Sequence, residues 1–235
     1  MVLDRKERFL KGFKAGVPIA LGYLSVSFTL GIMGIAMGFK LWQTVLISMV
    51  TVTSAGQFAG MGIMMNPGMY MEMLVSQLTI NVRYSFMSVS LSQKVDAHFK
   101  GVYRWLLGFF MTDEIFAVAV TQKSVTRSFF FGLAVLPYLG WSGGTLIGAL
   151  VGNVLPASIM SALGLAIYGM FVAIVAPDAK KERPLLVIVA IALALSCAFY
   201  YVPGLKEISS GLSVSICAII AAVAGALIFP VKEDK

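Results

Sequence analysis

Three clusters of polar side chains sit inside otherwise apolar stretches of the chain: Asn81-Val82-Arg83, Thr112-Asp113-Glu114, and Thr51, Thr53, Ser54 and Gln57 around Gly56. They offer a guanidinium, carboxyls, carboxamides and hydroxyls, a set that can hold a small zwitterion and carry a proton. Arg83 and Asp113 lie about equally far, in residues, from the centre of the loop expected to join the third and fourth spans. In an antiparallel pair of helices rising about 1.5 Å per residue, the two charges meet at one depth. An unpaired charge near the centre of a bilayer is costly, and pairing Arg83 with Asp113 or Glu114 offsets much of that cost. Two carboxyls facing one arginine leave one over, and that carboxyl, Asp113 or Glu114, is the natural proton carrier. An ion pair can equally be structural, fixing helix register without touching a ligand. Asn81 and Arg83 point about 160° apart on a regular helix, whereas Gln77, Asn81 and Tyr84 share a face. The segment is therefore either wedged between two polar partners or broken near Asn81.

The elements that position these groups follow from composition. Of 235 residues, 59% are hydrophobic and 12% charged, and mean hydropathy is +0.89. A soluble domain carries about a quarter charged residues. The apolar runs are long and lack period-2 alternation, which excludes a β-barrel and leaves an all-α polytopic membrane protein of about eight spans. The expected spans are 17–39, 42–65, 69–91, 103–121, 129–151, 157–176, 185–202 and 208–229, forming one transporter domain over 17–230 between tails 1–16 and 231–235. Thr53-Ser54-Ala55-Gly56-Gln57 is poor helix material, so the second span is expected to break near Gly56. Freed amides at such a break can bind a carboxylate, and freed carbonyls an ammonium.

With both termini in the cytoplasm, twelve Lys and Arg residues fall inside and five outside, in keeping with the positive-inside rule. Lys94, Lys100 and Arg104 fit poorly on the outer side; if an early segment is re-entrant, the span count drops to seven. Leu21-Gly22-Tyr23-Leu24 resembles Leu136-Pro137-Tyr138-Leu139, Gly34 and Gly38 match Gly148 and Gly152, and Gly56 and Phe58 match Gly169 and Phe171. This points to a degenerate repeat with halves near 17–122 and 129–230, in which spans one and five share an orientation. The glycine series Gly31, Gly34, Gly38 and Gly144, Gly148, Gly152 suit close helix contact.

Other readings are weaker. The net charge of +7 resides in loops and tails, which orients a membrane protein rather than binding nucleic acid. Cys197 and Cys217 lie in apolar runs and read as packing residues. His98 is a lone loop histidine without a metal cluster, and Glu72 reads as interfacial. HExxH and Gly-Lys phosphate loops are absent from the sequence, so an ATP-driven pump lacks support; neither an enzyme nor a cofactor is expected.

Gly12-Phe13-Lys14-Ala15-Gly16-Val17-Pro18, Ala55-Gly56-Gln57-Phe58, Asn81-Val82-Arg83-Tyr84-Ser85-Phe86-Met87 and Thr112-Asp113-Glu114-Ile115-Phe116-Ala117 resemble the AzlC-like branched-chain amino acid permeases. Tyr84 stands where that family commonly has histidine. The resemblance implies a secondary transporter subunit in a prokaryotic cell membrane, exporting leucine, isoleucine and valine, with methionine as a further substrate, under the proton-motive force. It also implies a small AzlD-like membrane partner. On that reading Gly56, Gln57, Gln77, Asn81, Arg83 and Tyr84 line the amino acid site, and Asp113 and Glu114 couple protons. A channel for a small solute and a non-transporting structural subunit are the alternatives.

Overall fold

A computed structural model describes residues 4–66, 68–152, 154, 156, 172, 176 and 179–230. Apart from Val172 and Ala176, the expected sixth span lies outside the described residues, as do Gly169 and Phe171 of the repeat, Pro67 and the tail 231–235. The described chain is helical. Its α-helices are α1 (Arg5–Ala36), α2 (Leu41–Val50), α3 (Ser54–Met64), α4 (Tyr70–Ser92), α5 (Val102–Phe109), α6 (Asp113–Val120), α7 (Arg127–Gly152), α8 (Arg183–Tyr201) and α9 (Ser210–Ile228). By length and composition, α1, α7, α8 and the 211–228 stretch of α9 can each cross a membrane. The residues fall into two compact units, Met1–Phe58 with Asn81–Ile167, and Ala59–Ile80 with Tyr168–Lys235.

In the first unit α1 and α7 lie side by side and parallel. Gly16 of α1 faces Leu133 and Pro137 of α7, Ala20 faces Gly140, and Phe28 faces Gly148, so the two chains advance together. A Cβ on Gly140 would stand 2.6 Å from the Ala20 carbonyl oxygen, and one on Gly16 2.6 Å from that of Leu133. Backbones this close leave no room for a side chain, which is why small residues recur along the seam. The parallel seam gives spans one and five the shared orientation expected for them. α1 begins earlier than its apolar run. The Asp4 carboxylate accepts from the Arg5 amide at 2.6 Å and Glu7 accepts from the Asp4 amide at 2.9 Å, a capping box that makes most of the charged tail helical.

The expected second span is helix, break, helix. Thr51-Val52-Thr53 forms the break; three consecutive β-branched residues with two hydroxyls favour extended backbone. Gly56 lies inside α3, so the break falls just before it. Gln57, in the first turn of α3, donates to Ser48, in the last turn of α2, at 2.6 Å. The chain therefore turns back on itself at 51–53. By contrast α4 is continuous from Tyr70 to Ser92, which corrects the expectation of a break near Asn81. Asn81 accepts a hydrogen bond from Thr53 while Arg83 pairs on the other side. The wedged alternative holds, and no backbone group needs to be freed.

The expected fourth span, 103–121, is also broken, at Phe110-Met111-Thr112, and it is a hairpin rather than a crossing. At its entry Arg127, at the start of α7, stacks over Tyr103 at 4.2 Å. At its exit Lys94 donates to the Val120 carbonyl at 2.7 Å and Lys11 to Gln122 at 2.9 Å. Both ends thus lie beside the starts of α1 and α7. Between them Phe110 packs on Tyr138, ring centroids 5.3 Å apart. Tyr138 is about 17 Å up α7 from Arg127 at 1.5 Å per residue. Phe99, Leu107, Ile115, Ala119 and Phe130 close one apolar cluster that holds the hairpin together. The consequence is electrostatic: Lys94, Lys100 and Arg104 share the end that carries Lys11, Lys123 and Arg127, so they no longer sit across from the other basic residues.

In the second unit α8 and α9 pack with Ile188 over Gly225. Glu72 is buried there, 6% exposed, and accepts from the Gly211 amide at 2.7 Å. Its carboxylate caps an orphan amide of the first turn of α9.

Candidate functional site

The two hairpin tips reach the same level of α7 in the first unit, and Tyr138 touches both. Its hydroxyl donates to the Met49 carbonyl at 3.0 Å, and its ring packs against Phe110. Thr112 caps α6 by accepting from the Ile115 amide at 3.4 Å, which places Asp113 and Glu114 on the first turn after the break. A carboxylate at that position faces the positive end of the helix.

Arg83 reaches Asp113 with Nη1 at 2.7 Å from Oδ1 and 2.7 Å from Oδ2. The pair expected from depth alone is therefore present. Both side chains are about half-buried, 48% and 44% exposed. Arg83 also donates through Nη2 to the Tyr84 hydroxyl at 3.1 Å and lies over its ring at 4.8 Å. The Tyr84 hydroxyl donates to Thr53 Oγ1 at 3.4 Å, and Thr53 Oγ1 donates to Asn81 Oδ1 at 3.1 Å. One polar chain thus runs from Asp113 through Arg83, Tyr84 and Thr53 to Asn81, joining both hairpins to α4. Glu114 does not share the arginine; it accepts from the hydroxyl of Tyr23 on α1.

A second polar group lies behind the neutral hairpin. Gln57, 2% exposed, donates to Ser48. Ser48 and Thr145 share a hydrogen bond of 2.7 Å, and Thr145 donates to the Trp141 carbonyl at 3.1 Å. Gln57 Oε1 is buried without a partner among the described residues, as is Trp141 Nε1. Such groups are expensive to leave unsatisfied. Trp141 also packs edge-on against Tyr23, centroids 5.5 Å apart.

Of the expected residues, the first unit brings together Asn81, Arg83, Tyr84 and Asp113, with Glu114 beside them on α6 and held by Tyr23. Gln57 joins the Ser48 group, and Gly56 is buried next to it. Gln77 belongs to the second unit, where its amide lies against Gly60. Sequence reasoning missed Tyr23, Ser48, Tyr138, Trp141 and Thr145 as partners. Tyr23 and Tyr138 carried a usable signal, since the repeat matches them to each other; Ser48 and Thr145 are ordinary small polar residues in apolar helices. Among the described residues no group of three or more His, Cys, Asp or Glu could hold a metal ion.

The model of the AzlC protein family matches residues 18–155, a stretch that contains both hairpins and every residue of the polar chain. The sequence is 30% identical over 187 residues to an uncharacterized membrane protein of Archaeoglobus fulgidus, covering 77% of this chain and 80% of that one. It is 25% identical to the inner membrane protein YgaZ of Escherichia coli, covering 80% of each. It is 24% identical to the branched-chain amino acid transport protein AzlC of Bacillus subtilis, covering 74% of this chain and 69% of that one. No solved structure matches. With the family model spanning more than half of its length and containing the whole polar cluster, the chain belongs to the AzlC family of membrane proteins.

Proposed function

We propose that this chain is the large subunit of a proton-coupled secondary transporter that exports branched-chain amino acids, with a small AzlD-like membrane subunit as its partner. The observation that carries the reading is the meeting of a guanidinium, two carboxylates and two broken helices at one level of the first unit. A zwitterion needs a cation for its carboxylate and acceptors for its ammonium. Arg83 is the cation, and it is now held by Asp113. An arriving substrate carboxylate competes for Arg83, and the displaced Asp113 is then neutralised by taking up a proton. Glu114, already hydrogen-bonded by Tyr23, is the second acceptor. Asn81 and Tyr84 supply neutral hydrogen bonds around that exchange, and Gln57 is assigned to the same pathway from the Ser48 group behind the hairpin. Phe110 and Tyr138, packed on each other near the hairpin tips, offer an apolar border suited to the side chains of leucine, isoleucine and valine.

Both termini are assigned to the cytoplasmic side of a prokaryotic plasma membrane, because the basic residues gathered around the starts of α1 and α7 favour that side. The repeat halves 17–122 and 129–230 remain part of the same proposal, supported by the parallel α1–α7 seam. The testing experiment is counterflow of labelled L-leucine in proteoliposomes, with and without the co-purified small subunit. Saturable exchange that requires the second subunit is expected. Absence of exchange with leucine, isoleucine, valine and methionine under both conditions would remove the substrate assignment.

A further inference from the structure

At the end of the first unit where the basic residues collect, a cavity of about 970 Å³ opens between the start of α1, the 96–103 segment and the start of α7. Arg5, Lys6, Arg8 and Arg127 line it, against two carboxylates, Asp4 and Asp96. Both carboxylates already accept from backbone amides, Asp4 from Arg5 at 2.6 Å and Asp96 from His98 at 3.1 Å. The cations therefore outnumber the acids, and the acids are engaged in holding the backbone. The Arg127 guanidinium lies over the Tyr103 ring, 4.2 Å from its centroid. That contact anchors the guanidinium beside the cavity, and its fork of N–H donors suits a phosphate. The rest of the wall mixes aromatic Phe9 and Phe131 with polar His98, Thr126 and Ser128, Phe131 packing edge-on to Tyr103 at 6.1 Å. Cations above an aromatic wall, at the point where α1 and α7 pass into their apolar stretches, match the polar and apolar parts of one ligand class.

We propose that this cavity is a binding site for the headgroup of an anionic phospholipid, the phosphodiester lying between Arg127 and the basic first turns of α1 and the acyl chains following the apolar surface below. The site stands apart from the Arg83–Asp113 cluster, being at the entry of the α5–α6 hairpin rather than at its tip. It needs no assumption about substrate. A headgroup there bridges the start of α1 to the segment leading into α5, and so steadies the base of the hairpin.

The test is native mass spectrometry of the full chain released from detergent after adding phosphatidylglycerol or phosphatidylcholine with identical acyl chains. The wild-type chain is expected to retain phosphatidylglycerol preferentially, and each of R5Q, K6Q and R127Q to lower that preference about fivefold, near the effect of one basic residue at a lipid surface. R127K keeps the charge but loses the stacked fork, and falls between wild type and R127Q. Equal retention of the two lipids overturns the proposal, and so does a preference that survives R5Q/K6Q/R127Q combined. A third arm adds inorganic phosphate: if it displaces the bound lipid at equal concentration, the cavity takes a soluble anion and the lipid assignment fails. The unfolding temperature of each variant in detergent, without added lipid, separates lost binding from lost fold; K6Q, at an exposed first-turn position, is the variant expected to fold as wild type.

Discussion

In the α2–α3 hairpin the chain turns over Thr51-Val52-Thr53 and everything polar it presents is neutral, whereas α5–α6 turns over Phe110-Met111-Thr112 and sets two carboxylates on the first turn after the break. The neutral hairpin meets its neighbours through uncharged bonds only: Gln57 reaches back to Ser48, Ser48 meets Thr145, and Thr53 meets Asn81 and Tyr84. The charged hairpin cannot do this. Asp113 draws its counter-charge from α4, and Glu114 draws a hydroxyl from α1. The difference teaches where coupling can reside. A hairpin whose charges are matched only by neighbouring helices changes its energy whenever those helices shift, while a hairpin with neutral bonds changes it little.

The largest expected effect tests whether the comparison is between two hairpins at all. In a chain with Cys197 and Cys217 replaced by serine, K100C and K123C are expected to react with an impermeant thiol reagent from the same side of the membrane, and K40C from the opposite side. Labelling of K100C and K123C from opposite sides would mean that 102–120 crosses.

Removing the counter-charge comes next. R83L leaves Asp113 unpaired and is expected to destabilise the chain by about 3 kcal/mol, the scale of a lone charge at mid-membrane. R83L/D113L should regain most of that loss in detergent unfolding while leaving leucine transport absent. Recovery of transport in the double variant would make the pair purely structural.

The carboxylates should separate from one another more mildly. D113N and E114Q each remove one charge-assisted hydrogen bond, about 1.5–3 kcal/mol, and are expected to lower gradient-driven leucine transport about tenfold or more. Leucine counterflow, which needs no net proton movement, should persist in at least one of them. Unchanged proton movement in both would refute the coupling role. The smallest effect belongs to the neutral hairpin. Q57L removes one neutral hydrogen bond of about 1 kcal/mol and should raise the half-saturating leucine concentration about fivefold without altering the dependence on the proton gradient. A changed gradient dependence would erase the distinction between the hairpins.

Much of the site was legible because charge is so unwelcome in an apolar run. Arg83, Asp113 and Glu114 stand out by type alone, and the similar distance of Arg83 and Asp113 from the centre of the loop between their spans put those two in contact. A break near Gly56 was legible to within a few residues from the hydrogen-bonding side chains of Thr53-Ser54-Ala55-Gly56-Gln57, although it falls at 51–53 and 54–57 are helical. The break at 110–112 was not, since Phe110 and Met111 look like ordinary span residues. A further limit is geometric. A hairpin whose tip reaches mid-depth and a crossing halfway through place residue 113 at the same height, so the depth argument succeeds under either topology and cannot distinguish them.

Residue types and spacing were enough for the membrane class, the helical fold, the pairing of Arg83 with a carboxylate and the suitability of Gly31, Gly144 and Gly148 for close helix contact, though not for Gly38, which lies past the end of α1 in open space. These depend on residue type and on spacing along one helix, both of which are local. Only the tertiary structure decided that 102–120 folds back, that Lys94, Lys100 and Arg104 join the other basic residues at one end, that α4 stays unbroken through Asn81, and that Glu114 belongs to Tyr23 rather than Arg83. Each of those outcomes depends on which distant helix supplies the partner, Tyr103 beside Arg127 or Lys11 beside Gln122, and hydropathy and length are the same whichever partner is chosen.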